Sequence, residues 1–255
     1  MSAAGSPPVS DRRVRLETRG LGRRFGGLRA VRDVSVTIRD GERVGLLGPN
    51  GAGKTTFTNL VTGDIKPTEG EVILDGERVT GFAPHQLFHR GLARTYQVAN
   101  PFPSLTTLDA VMIGAFAGTR DVTAAASAAR DALDLLGLGH RCATEMRNLT
   151  IVEMKEVELA RIVASGASLV FLDELLAGLR PNEVGDLLEV LDRLAAERSL
   201  TVVLIEHLVG AVMTFCERLI VMNEGAVIAD GPAAEVAHDK TVVEAYLGAK
   251  WRKDA

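Results

Sequence analysis

Cysteine is nearly absent from this chain. Cys142 and Cys216 are the only two. They lie far apart, with no second ligand at metal-like spacing, so neither a disulfide framework nor a zinc site is expected and both read as reduced thiols of a cytosolic protein. An excess of one charge is lacking too. The 33 acidic and 29 basic residues leave a net charge of -4, which gives nucleic acid or an anionic membrane no electrostatic reason to bind. Long apolar runs are missing: stretches such as 169–172 are of strand length, far below the ~18 residues that cross a bilayer. A membrane role therefore calls for a separate membrane partner. The first residues lack the apolar centre of a secretory signal, and 1–13, with Pro7 and Pro8, are expected to form a flexible tail. Internal repeats and low-complexity segments are absent as well.

What is present is ordinary globular material, 46% hydrophobic and 24% charged over 255 residues. That is enough for one large α/β domain, or for a core domain carrying an inserted subdomain. In 31–38, Val34, Val36 and Ile38 alternate with polar residues, a period of two that predicts a strand with one solvated face. Asp40 and Gly41 mark a turn, 43–47 reads as a short buried strand, and 55–62 as a helix. Another strand is expected at 71–74, between the Gly70 and Asp75-Gly76 turns. From about Pro84 to Ser165 helical patterns dominate, at 105–115, 122–136 and 153–164, and an inserted helical subdomain is expected at about 98–165. Thereafter strands at 169–172, 201–205 and 218–222 alternate with helices at 182–196 and 208–215. Such alternation predicts a mainly parallel sheet covered by helices. A hairpin-like strand and a C-terminal extension at about 232–255 close the chain.

The most informative local feature is Gly48, Pro49, Asn50, Gly51, Ala52, Gly53, Lys54, Thr55. It matches G-x-x-x-x-G-K-[ST] between a predicted strand and a predicted helix. The glycines let the backbone curl with its N–H groups around phosphate oxygens, and the helix that begins near Thr55 and Thr56 adds its positive end. Lys54 is then the cation for the β- and γ-phosphates, and the Thr55 hydroxyl a ligand for Mg²⁺. A hydrolase also needs a carboxylate near the metal and a group that orients water. Asp173 and Glu174 end the buried strand at 169–172 and supply both. His207 follows the strand at 201–205 and so shares that sheet edge as a γ-phosphate sensor. Gln97 follows an apparent strand at 93–96 and could face the metal and water.

Taken in order, these residues resemble the ATP-binding subunits of ABC transporters, over nearly the whole chain after the first dozen residues. The resemblance implies a P-loop NTPase core with an N-terminal antiparallel β region, spanning 14–255. Phe25 falls where the family stacks an aromatic on adenine, Gln97 matches the glutamine loop, Asp173 and Glu174 the Walker B end, and His207 the switch histidine. It implies ATP and Mg²⁺ as cofactors, with Gln97 joining Thr55 and Asp173 near the metal. Three finer segments, 25–31, 91–97 and 177–181, resemble the importer branch for branched-chain amino acids, as does 243–248.

In that family two ATP-binding subunits close face to face, and each ATP lies between the phosphate loop of one and a signature loop of the other. The usual signature carries Leu-Ser-Gly-Gly-Gln, whereas this chain has Leu149, Thr150, Ile151, Val152 and Glu153. Branched side chains stand where glycine would let backbone N–H groups approach phosphate. Leu175 and Leu208 also replace the usual proline and aspartate. The resemblance thus implies pairing with a different ATPase subunit, or a homodimer with two weakened sites, together with two transmembrane permease subunits and an extracytoplasmic solute-binding protein. The expected place is the cytoplasmic face of the membrane, and Phe102 and Leu105 would line a groove for a permease helix. Other readings stay open: a regulatory subunit that scarcely hydrolyses ATP, an exporter subunit, or a non-transport ABC ATPase.

Overall fold

The computed structural model describes residues 12–95 and 102–247. β1 (Val14–Phe25) and β2 (Leu28–Arg39) form an antiparallel hairpin, joined by β4 (Glu69–Leu74) and β5 (Glu77–Arg78) in a four-stranded sheet ordered β2-β1-β4-β5. The alternating Val34, Val36 and Ile38 all point into the core, as a period of two requires. β1 was not legible because Arg19, Gly20, Gly22, Arg23 and Arg24 interrupt its alternation, and register shifts accompany them.

The second sheet is ordered β10-β9-β3-β8-β7-β6, from β3 (Arg43–Leu47), β6 (Leu92–Arg94), β7 (Leu169–Asp173), β8 (Thr201–Ile205), β9 (Arg218–Asn223) and β10 (Ala226–Pro232). β9, β3, β8, β7 and β6 run parallel, and β10 closes the edge antiparallel to β9. Every residue of β7 and β8 is buried, which explains why these strands read as continuous apolar runs. Their side chains alternate between two cores. Leu169, Phe171, Val203 and Ile205 join the core shared with the antiparallel sheet, while Val170, Leu172, Val202 and Leu204 join the core under the helices.

The helices are α1 (Lys54–Val61), α2 (Pro84–Phe88), α3 (Thr107–Ala115), α4 (Val122–Leu135), α5 (Ile151–Ser165), α6 (Pro181–Arg198) and α7 (Val209–Phe215). α3, α4 and α5 pack on one another. Where their ends differ from expectation, capping decides. α3 starts two residues late because the Thr106 hydroxyl accepts from Asp109 N–H, and α5 starts two residues early because Thr150 is its N-cap. The short α8 (Ala233–Val236) and α9 (Lys240–Val242) follow β10. Among the described residues no helix is long and apolar enough to cross a membrane.

Candidate active site

β3 ends at the centre of the parallel sheet, and the chain turns from it into α1 through the glycine loop. Gly48 has φ +150°, and a Cβ there would stand 2.2 Å from Met222 O; Gly53 has φ +100°, and a Cβ there would stand 2.5 Å from Ala30 O. Both positions therefore require glycine, for conformation and for space. The loop is held from behind. Gly225 N–H, in the β9–β10 turn, donates to Ala52 O at 2.8 Å, and Arg32 N–H of β2 donates to Gly225 O at 2.7 Å. Hairpin, turn and loop thus form one support. Lys54 curls over the loop, its Nζ donating to Gly48 O at 2.6 Å and Pro49 O at 3.2 Å. Burial pulls the ammonium below its usual pKa, and the carboxylates of Asp173 and Glu174 oppose that shift.

Those carboxylates arrive from the end of β7, two strands from β3. Asp173 is only 4% exposed. Its N–H donates to Thr95 Oγ1 at 2.9 Å, and Arg94 Nη2 donates to its Oδ2 at 2.8 Å. Arg94 also bonds Asn59 Oδ1 on α1 and Asp64 Oδ2, the latter at 3.1 Å, so one guanidinium ties the Asp173 carboxylate to α1. Glu174 has a left-handed backbone, φ +53°. His207 follows the end of β8, and its Nε2 lies 3.1 Å from Glu174 Oε1. A cleft of about 800 Å³ gathers Asn50, Gly51, Ala52, Gly53, Lys54, Thr55, Thr56, Asp173, Glu174 and His207, together with Arg29, Arg32 and Glu224.

Two expected residues stand differently. Phe25 sits at the end of β1, 45% exposed, with the Arg23 guanidinium 4.7 Å from its ring centre; it is not among the side chains lining the cleft, although the neighbouring 27–30 are. Gln97 lies outside the described residues. The sequence reading also missed Arg94, Thr95 and Glu206. Arg94 had a signal, a charged residue inside the predicted strand at 93–96.

The stretch 149–153 forms the start of α5. Thr150 Oγ1 accepts from Glu153 N–H at 3.2 Å, Glu153 Oε2 accepts from Thr150 N–H at 2.8 Å, and Arg141 Nε donates to Glu153 Oε1 at 2.8 Å. Burial alone would raise the Glu153 carboxyl, but these bonds hold it below the usual carboxylate range. Ile151 is 50% exposed. A second cleft, about 380 Å³, lies between α2 and β6 on one side and α3 and α5 on the other. Phe88, Phe102, Ile113 and Met154 line it, with Glu158 and Arg161; Leu105 does not.

Comparison with known proteins agrees with this geometry. The sequence model described as "ABC transporter" matches residues 31–177, and the one described as "Branched-chain amino acid ATP-binding cassette transporter" matches 226–251. Among characterised relatives, the high-affinity branched-chain amino acid transport ATP-binding protein BraF of Pseudomonas aeruginosa is 34% identical, over 91% of this chain and 97% of its own. LivG of Salmonella typhimurium, with the same description, is 35% identical over the same shares. Among solved structures, the ADP conformation of an ATP-binding cassette of an ABC transporter superposes with TM-score 0.84 at 29% identity, covering 92% of this chain and 99% of its own. A nucleotide-free ATP-binding cassette gives 0.83 at 28%, covering 91% and 98%. The chain belongs to the ABC transporter family, as one of its ATP-binding, ATP-hydrolysing subunits.

Proposed function

We propose that this subunit drives uptake of branched-chain amino acids or closely related small solutes, hydrolysing ATP at the cleft of Lys54, Asp173, Glu174 and His207. The convergence of those four side chains on one cleft carries the chemical part; the names of the relatives carry the solute. Residues 48–55 bind the phosphates through backbone N–H groups and Lys54, whose ammonium is disfavoured by burial and supported by the carboxylates of Asp173 and Glu174. The oxygen donors lining the cleft include the Thr55 hydroxyl and the Asp173 carboxylate, hard ligands of a kind that suits Mg²⁺ bound mainly through phosphate. When bound, that ion would neutralise charge on the phosphates as the terminal bond breaks. Glu174 orients the attacking water and accepts its proton. His207, 3.1 Å from Glu174, fixes that carboxylate and senses the γ-phosphate. Gln97 is proposed to join the metal side, and Phe25 to stack on adenine once the hairpin meets nucleotide.

The start of α5 supports an asymmetric partner. A helix N-terminus attracts phosphate with unspent N–H groups and a positive dipole end. Here Glu153 places its own carboxylate against that end, and Ile151 and Val152 bring branched side chains to the first turn. A different ATPase subunit with an intact signature would complete the site at 48–55. The cleft at Phe88 and Phe102 is the proposed seat of a permease helix at the cytoplasmic face of the membrane, with a solute-binding protein outside.

The test is to tag this chain, isolate it with its membrane partners, and reconstitute the complex in proteoliposomes with external leucine. ATP-dependent leucine uptake that Glu174→Gln abolishes is the expected result. Hydrolysis that no branched-chain amino acid stimulates, with no uptake, would remove the solute assignment.

A further inference from the structure

Glu206 belongs to no step described so far, yet it is 3% exposed at the end of β8. No lysine or arginine among the described residues forms an ion pair with it. Its Oε1 instead accepts from Leu176 N–H at 2.7 Å, and the backbone N–H of His207 also favours the charged carboxylate. Burial raises its carboxyl above the usual range and these two N–H groups draw it back. A buried carboxylate is costly to keep, so what it holds in place matters.

It holds the turn that carries Glu174. That residue has φ +53°, a conformation that non-glycine residues adopt only when the surroundings impose it. Two bonds from the end of β8 bracket it. On one side Glu174 N–H donates to Ile205 O at 2.9 Å; on the other, two residues on, Leu176 N–H meets Glu206. Leu175 and Leu176 are fully buried beyond it, so the turn is fixed by packing on one flank and by the Glu206 carboxylate on the other. The same carboxylate is favoured by the backbone N–H of His207, whose ring faces Glu174.

We propose that Glu206 is a positioning residue that clamps the turn after β7 to the end of β8, keeping the Glu174 carboxylate and the His207 ring aimed at the same point of the cleft. The inference rests on Glu174 being the group that orients water. It makes reach, rather than charge, the property of Glu206 that counts. A glutamine keeps an oxygen at the same distance for Leu176 N–H; an aspartate keeps the charge but withdraws the oxygen by one methylene.

The experiment compares ATP turnover of the purified transporter complex carrying Glu206→Gln, Glu206→Asp or Glu206→Ala in this chain. Amide hydrogen exchange over 174–177 is read in the same full-length chains. Ala and Asp are expected to lower kcat about tenfold, the effect of a lost positioning bond, with KM for ATP within about twofold. Gln should recover most of the turnover, and exchange at Leu176 should quicken in Ala and Asp only. Asp equal to or better than Gln, an unchanged kcat in Ala, or a loss confined to KM would each overturn the clamp. Should Ala fail to fold, the order of Gln and Asp still decides. Glu174→Gln is run alongside: normal turnover there would remove the base assignment itself, a failure separate from that of Glu206, whose clamp the exchange of Leu176 would then judge alone.

Discussion

The phosphate loop and the start of α5 are both places where a chain segment enters a helix, and they use the entry in opposite ways. At the loop, Gly53 has no side chain and φ +100°, no side chain caps α1, and its first turn lines the cleft with Lys54. At α5, Thr150 and Glu153 cap each other, and Arg141 fixes the carboxylate. The first arrangement leaves donors for a ligand; the second spends the N–H groups of Thr150 and Glu153 on the cap itself. A single chain can therefore keep a full set of groups for its own nucleotide while offering little to a neighbour's.

That contrast can be broken or sharpened by substitution. Glu174→Gln should slow hydrolysis by roughly 10²–10⁴-fold, the usual worth of a general base, while ATP binding measured by a fluorescent analogue is retained; normal turnover would place the base elsewhere. Lys54→Ala should weaken ATP binding by about a hundredfold, since it removes the buried cation of the loop, and equilibrium titration reads the effect. Arg94→Ala leaves Asp173 buried beside a missing cation and should cost about 3–5 kcal/mol in chemical unfolding. At the other helix the effects should fall on stability alone. Thr150→Ala should cost about 1 kcal/mol and leave ATP affinity of the same chain within about twofold.

The pH dependence at α5 follows from the lowered Glu153 carboxyl. Its folded pKa lies below its unfolded one, so the cap contributes fully above the unfolded value and is lost as pH falls through the folded value. Glu153→Gln should flatten the acid side of the stability profile by lowering stability near neutrality towards its acid value, with little change below the folded pKa.

Much of this was legible beforehand because local chemistry and global fold agree. The parallel strands are buried on both faces and show as apolar runs, and the glycine loop sits between a strand and a helix as its chemistry demands. That His207 lies at the same sheet edge as Asp173 and Glu174 was legible from its place after a buried strand; its contact with Glu174 was not. Less visible were groups whose role depends on distant partners. Arg94 is ordinary until β6 lies beside β7 and brings it to Asp173, and Glu206 reads as one more polar residue before His207 until the turn after β7 folds onto it. β1 hid behind its glycines and arginines. The self-capping of α5 is written as Thr150-x-x-Glu153, at the same positions where the likeness to a signature loop breaks down.

The central claim is that the site at 48–55 depends on another chain's signature loop. ATP turnover of the purified chain alone, compared with that of the chain combined with the second ATPase subunit of its complex, tests it most directly. The account predicts slow turnover alone and a rise of at least about tenfold on pairing, abolished by Glu174→Gln in this chain. Robust hydrolysis by the isolated homodimer, unchanged by the second subunit, would contradict it.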